Sequence, residues 1–387
     1  MAGVFATLAN GYPVCAAEPA GPRLTLANVP APVPYRPDEP VAKQFSLERT
    51  ALALDTAALF WIKDRACVAC HTTIPYLMAR SALDAVTPSP PEVRQFFEDL
   101  AEKRKDAFPK YLPADGRMSA AIGIATALAF HDRMTTGKLH PATRKAFDQV
   151  WSMQRPDGGW EWPFRDSPPI KMTEHYGVTF VAVGVGLAPE GYAKSEAARK
   201  GLEGIRKFLR ANLPASLHER AMLLWAAQHF DDLFPKRDRD QTVQDLLAAQ
   251  RSDGGWSLAN LVDNVQQVKG LADQLKKSQA KPGYGKEFLA YVGRSHVYES
   301  PLTTDGYATG FAVYVLRQAG VPAKDQRIQR GIAWLKNNQR QSGRWFTPSQ
   351  AFHKQHLISN AGTCYAVMAL QACGEVPARS PKRAASE

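Results

Sequence analysis

Two kinds of helix-forming segment alternate along most of this chain, and the alternation narrows the folds open to it. One kind is amphipathic. Val93, Phe96, Phe97 and Leu100 recur at i, i+3, i+4 and i+7, with Arg94, Glu98, Asp99, Glu102 and Lys103 between them. Leu202, Ile205 and Leu209 repeat the pattern, as do Val243, Leu246 and Leu247, and then Ile328, Ile332 and Leu335. Such segments are surface helices that bury one stripe. The other kind is small and apolar nearly all round, at 119–130, 177–187, 221–227, 306–316 and 361–372. A helix apolar on every side has to be covered on every side.

The pattern predicts outer helices near 47–64, 91–106, 141–154, 195–211, 239–250 and 325–339. Inner helices are predicted near 73–85, 118–132, 174–187, 217–229, 305–319 and 359–373. Six of each point to an all-α, (α/α)6 double-ring toroid over residues 46–375, because a closed ring buries its inner helices and needs no capping repeats. With 45% hydrophobic and 22% charged residues, the composition excludes a disordered, collagen-like or small disulfide-scaffold protein. No apolar run reaches the ~18–20 residues that cross a bilayer.

The flanking segments read differently. Residues 1–17 look like an eroded signal peptide: Val14-Cys15-Ala16-Ala17 suits cleavage, but no basic residue precedes Arg23 and Asn10–Pro13 interrupts the apolar stretch. Residues 18–45 are proline-rich and read as an extended linker. The polar insertion at 257–301 is long enough to be a lid, and 376–387 reads as a disordered tail. Lys+Arg exceed Asp+Glu by 48 to 37, a net charge of +11. The basic residues are scattered, which argues against a nucleic-acid arm and leaves association with an anionic membrane surface open.

Three outer-to-inner turns share one signature. Gln154-Arg-Pro-Asp-Gly158-Gly159-Trp160 is followed by Gln250-Arg-Ser-Asp-Gly254-Gly255-Trp256 and by Gln339-Arg-Gln-Ser-Gly343-Arg-Trp345. Gly makes the tight exit from each outer helix, and the Trp is expected to stack against the neighbouring repeat. A Gln-x-x-x-Gly-x-Trp-type turn on alternating helices resembles the QW repeats of squalene–hopene cyclases and the related protein prenyltransferases, over roughly Leu47 to Gly374. That family's class II cyclases protonate an alkene with the central Asp of an Asp-x-Asp-Asp motif. The resemblance therefore points to Asp305 as the acid. Here the stretch reads Thr303-Thr304-Asp305-Gly306, so both flanking carboxylates that would tune it are missing. The bland alternative is that Asp305 caps a helix. Asp231-Asp232 lacks the further Asp of a diphosphate–metal motif, and Cys364 has no assignable zinc partners.

The strongest chemical signal replaces the turn expected after the first outer helix. It is Cys67-Val68-Ala69-Cys70-His71, the Cys-x-x-Cys-His pattern of c-type haem attachment. Two thiols at this spacing meet the two vinyl groups of one porphyrin, and the adjacent His becomes an axial iron ligand. A redox disulfide or a structural zinc site are the other readings of the pair. The sixth iron ligand is expected to be His356 or Met118. Glu174, His175, Tyr176, His218, Glu219, Arg220, Asp305, Tyr307 and Asn360 all lie at or near predicted inner-helix starts, so they should converge around one cavity mouth. Covalent haem attachment in bacteria takes place outside the cytoplasmic membrane, so the motif implies a periplasmic or otherwise extracytoplasmic protein. The leading expectation is a toroid carrying one haem c, exchanging electrons with a redox partner or acting on an apolar small molecule in its cavity. The alternative is a terpene or squalene cyclase-like enzyme, or an isoprenoid-binding module, without haem.

Overall fold

The computed structural model describes residues 23–103, 114–163, 169–170, 173–262, 303–350 and 355–378. The leader at 1–17, nearly all of the expected lid and most of the tail lie outside these residues. The outer helices are α1 (Leu47–Arg65), α3 (Pro91–Lys103), α5 (Pro141–Ser152), α7 (Glu196–Ala211), α9 (Lys236–Ala248) and α12 (Gln326–Asn337). The inner ones are α2 (Thr73–Ala79), α4 (Ala114–Thr135), α6 (Glu174–Leu187), α8 (Leu217–Ala226), α11 (Gly306–Gln318) and α13 (Ile358–Ala372). A short helix, α10 (Leu258–Val262), lies between α9 and α11. The starts follow from capping: Ser46, Ser195, Ser216 and Asp305 each accept a backbone N–H of the first turn of their helix.

Inner helices pack in the order α2, α4, α6, α8, α11, α13, and α13 packs back on α2, so the ring closes. This is the α/α toroid that the alternation predicts. Small residues on the inner helices permit the spacing. A Cβ on Gly310 of α11 would stand 2.4 Å from the Ala366 nitrogen of α13. One on Gly184 of α6 would stand 2.9 Å from the Thr126 Cα of α4. The first inner helix is the shortest, and α2 tightens into a 3-10 turn at Arg80–Leu83. There Arg80 is buried in a bidentate pair with Asp55 of α1 (2.7 and 3.0 Å), and Tyr76 donates to the same carboxylate at 2.8 Å. These bonds and one from Arg80 Nη2 to the Thr87 carbonyl offset much of the cost of burying the pair, though Arg80 Nη1 is left without a hydrogen bond.

The three Gln–Gly–Trp turns share one geometry. Trp160, Trp256 and Trp345 are fully buried, and each indole N–H donates to a carbonyl ten residues back in its own outer helix, Val150, Leu246 and Leu335, at 2.7–2.8 Å. Each Gln amide donates to the Gly carbonyl of its own turn and to the next outer helix. Gln154 reaches Gly201 of α7, Gln250 reaches Arg327 of α12, and Gln339 reaches Ser46 and Thr50 at the start of α1. The glycine has a positive φ in all three, and a Cβ on Gly158 would meet the Gly204 carbonyl of α7 at 1.8 Å. Ring packing against the neighbouring repeat occurs as expected, with Trp256 against Gly331. The polar link between repeats belongs to the Gln.

Residues 23–45 belong to the segment read as an extended linker. They form a strap docked on the α12–α13 turn. Ala42 donates to the Gln339 carbonyl at 2.7 Å, Val41 bridges Arg340, and Arg344 donates to the Val33 carbonyl at 2.8 Å. Arg344 also stands over the Tyr35 ring, 4.2 Å from its centroid. Proline-rich extended backbone leaves carbonyls open, and this arginine takes two of them, Val33 and Pro34.

Candidate functional site

Helix α1 ends because Ala66 turns left-handed (φ 46) while its N–H still bonds the Ile62 carbonyl. That is the conformation which the other turns give to glycine. The chain then winds through Cys67–Thr72, held by the Ala69 N–H on the Thr73 hydroxyl (2.8 Å) and by the Ala69 carbonyl, which accepts from Thr72 and Ile74. None of the four described cysteines, Cys67, Cys70, Cys364 and Cys373, is in a disulfide. Cys67 is buried against the Val68 carbonyl, whereas Cys70 faces the ring interior.

His71 is held from two sides. Its Nδ1 lies 2.7 Å from the Thr72 hydroxyl, which accepts from the Asn360 amide at 2.9 Å. Asn360 in turn accepts from the Tyr35 hydroxyl of the strap. On the other side the ring meets Trp61 edge-on, 5.0 Å between centroids, and the Trp61 indole N–H is buried without a hydrogen-bond partner. The Arg65 guanidinium stands 6.0 Å from the Trp61 ring. The His71 tautomer decides whether Nδ1 or the Thr72 hydroxyl donates, and a metal-ligating histidine is commonly oriented by such a contact at its other ring nitrogen.

Inside the ring, His218 is stacked on Phe311 (4.5 Å) and bonded to the Tyr307 hydroxyl through Nε2 at 3.1 Å. Burial pushes its pKa down to about 3, so it stays neutral. The hydroxyls of Tyr176, Tyr307 and Tyr365 are close enough to influence one another's proton affinity, and burial raises all three. The Cys70 thiol adds to the shift at Tyr176. The cavity between Cys70, Met78, Gly123, Trp162, Tyr176 and Tyr365 has a volume of ≈ 10 Å³, about that of one water.

The residues expected at the mouth divide into two sets. Tyr176, His218 and Tyr307 converge in the lumen, and Asn360 reaches the Cys turn. Glu174 instead turns outward to Arg155 and the Trp160 N–H, each at 2.7 Å. Arg220 pairs with Asp245 of α9 at 2.5 Å. Glu219 accepts from Thr173 and from the Ala215 N–H. His175 is 4% exposed with both ring nitrogens unpartnered, and burial lowers its pKa.

Asp305 caps α11, one oxygen accepting from Ala308 (2.9 Å) and the other from Leu258 (2.6 Å). Its burial outweighs these bonds and raises its pKa to about 7. His356 has a left-handed backbone (φ 50), accepts from the Ser349 N–H at 3.0 Å and meets the Phe346 ring. Met118 is buried in the core near the start of α4. Asp231 and Asp232 pair with Arg239 and Arg206. Among the described residues no three His, Cys, Asp or Glu side chains are grouped for a metal ion, and no helix is long and apolar enough to cross a membrane.

The sequence reading missed Tyr35, Thr72, Trp61 and Tyr365. Tyr365 carries a hydroxyl on a helix that is otherwise apolar all round, which was a usable signal. Thr72 adjoins the motif itself.

No curated protein is matched significantly by this chain. Among solved structures, one similar chain is the apo form of the type II terpene cyclase MstE from Scytonema. The two are 13% identical with a TM-score of 0.27, over 66% of this chain and 88% of that one. The family model of the squalene-hopene cyclase C-terminal domain matches residues 306–386. That stretch begins one residue after the Asp305 cap and includes α11, the third Gln–Gly–Trp turn and α13, so over it the chain is similar to that cyclase domain.

Proposed function

We propose that this chain is an extracytoplasmic electron carrier, an α/α toroid that holds one covalent haem c on Cys67, Cys70 and His71. The observation that carries the reading is the first turn. Where other turns of the ring hold a Gln–Gly–Trp clamp, this one offers two thiols outside any disulfide and a histidine with its own supporting relay. Such a group supplies a one-electron iron couple. The chain's part is to hold His71. The Thr72 hydroxyl, itself fixed by Asn360 and Tyr35, orients the imidazole through Nδ1, and His71 would be the residue that ligates the iron. The orphaned Trp61 N–H and the nearby Arg65 are donors suited to the carboxylate edge of a porphyrin. His356 and Met118 remain the candidates for the second axial position.

The space beside Cys70, only ≈ 10 Å³ among the described residues, favours exchange with a redox partner at the mouth over chemistry on an apolar molecule there. The test is a pyridine haemochrome spectrum of protein secreted with c-type maturation machinery. The reading expects a covalent c-type spectrum that is lost in Cys67→Ala/Cys70→Ala. A colourless wild-type protein overturns it.

A second reading, a cyclase-like enzyme, is favoured by the match over 306–386 and by a carboxyl at Asp305 that holds its proton up to about pH 7. Against it stand the two backbone bonds to that carboxyl. Isoprenoid turnover that vanishes in Asp305→Asn, while the variant stays folded, favours the cyclase.

A further inference from the structure

The strap at 23–45 passes beside the Cys turn, between two anchors that flank it. On one side the Ala27 carbonyl accepts from Lys63, at the end of α1, and Val29 is buried in the core. On the other side the Tyr35 hydroxyl donates to Asn360, whose amide donates to Thr72 next to His71. Cys67, Thr72 and Asn360 are all buried. Beyond Tyr35 the strap is gripped by one buried side chain. Arg344 donates to the Val33 carbonyl at 2.8 Å and to Pro34 at 3.4 Å, stands over the Tyr35 ring, and meets Glu39 at 3.5 Å. The Glu39 carboxylate also accepts from the Ser342 N–H at 2.8 Å.

The strap is built to come away as a unit. Its backbone closes two turns on itself, Val29 to Thr25 and Glu39 to Arg36, and otherwise bonds the ring through Ala42 and Pro40. A segment with so few backbone bonds of its own opens at lower cost than the helices beneath it. Pro30, Pro32, Pro34, Pro37 and Pro40 keep it extended when free, so redocking costs little ordering entropy. The Cys67 sulfur, in contrast, is buried while the strap is docked, and a buried thiol is inert. We propose that the strap is a clasp on the Cys turn. Undocked, it opens Cys67 to covalent attachment; docked, it seals the turn around the Thr72–His71 contact. Attachment needs no oxidant, since each thiol S–H adds across a C=C bond, sulfur to one carbon and hydrogen to the other. The purpose of the clasp rests on the haem reading, but its motion does not.

The experiment is native-state alkylation of the haem-free full chain with iodoacetamide, resolved peptide by peptide in a mass spectrometer. Cys67 should react far more slowly in the folded wild type than in urea. Arg344→Ala, which releases the strap at its main grip, should speed the folded-state reaction about tenfold or more, the equivalent of one charge-assisted hydrogen bond. Tyr35→Phe, a smaller change in case Arg344→Ala fails to fold, should speed it severalfold. Cys364, fully buried on α13, reports global unfolding and should stay unreactive in both variants. A wild-type Cys67 as fast as in urea, rates unchanged in both folded variants, or Cys364 rising in step with Cys67 overturns the proposal. These rates are read without haem, so their failure is distinct from a colourless haemochrome test, which strikes the haem reading.

Discussion

Two turns at equivalent places in the ring are built to opposite ends. At Gln339–Trp345 the polar side chains satisfy backbone: Gln339 bonds Ser46 and Thr50, and Trp345 bonds Leu335. At Cys67–Thr72 the backbone is held by its own bonds and by the Thr73 hydroxyl, with no Gln or Trp bonding it. His71 carries a relay that runs through Thr72 and Asn360 to Tyr35. The first arrangement locks helices together and offers nothing reactive. The second sacrifices that lock and gathers thiol and imidazole groups at the start of α2. The difference shows that an α/α ring tolerates an unclamped turn here because other contacts, the Arg80–Asp55 pair and the strap, hold its first repeat.

The largest expected effect comes from breaking a clamp. Trp256→Ala removes a fully buried ring and strands the Leu246 carbonyl, and should cost about 3–5 kcal/mol in urea unfolding. Cys67→Ala/Cys70→Ala should cost far less in the haem-free chain while abolishing any covalent chromophore. Equal losses of stability would erase the distinction between the turns. Gln339→Ala comes next, at about 1–3 kcal/mol, because Thr50 and the Ser46 carbonyl lose their donor at the seam where the ring closes. Thr72→Val sharpens the other side of the comparison. It should leave the melting temperature nearly unchanged and shift the reduction potential, since it removes the hydrogen-bond partner of His71 Nδ1.

Acid titration separates two buried groups with opposite signs. His218 has its pKa depressed from 6.5 to about 3, so the stability it contributes is full above about pH 6.5 and is lost as pH falls toward 3. Asp305 is raised from 3.8 to about 7, so its contribution is full below about pH 3.8 and is lost as pH rises through 7. Between about pH 4 and 6.5 they oppose each other. His218→Phe should therefore reduce acid lability in that window, and Asp305→Asn should steepen it, read as urea midpoints against pH. The smallest effect tests the left-handed exit: Ala66→Gly should stabilise the chain by about 1 kcal/mol, since glycine bears no Cβ penalty at φ 46.

The ring was legible because its signal is a period. Val93, Phe97 and Leu100 mark a stripe, and 177–187 shows none, so layer and order followed without any tertiary information. Asp305 as a cap and the Gln–Gly–Trp turns were legible for the same local reason. The site was legible only in its motif. Where Tyr365 points could not be read, since a helix apolar all round has no polar face to orient it. The strap was invisible because the arginine that docks it, Arg344, lies some three hundred residues from Val33 and Tyr35. Glu174 and Arg220 sit at inner-helix starts as expected but face outward, because Arg155 and Asp245 stand on that side.

The central claim is that the first turn is a covalent attachment site and not a clamp. Intact and peptide mass spectrometry of the acid-denatured, secreted protein tests it most directly. The account predicts one haem retained on the peptide that contains Cys67, Cys70 and His71. Recovery of that peptide from fully matured protein with both thiols unmodified and open to alkylation would contradict it.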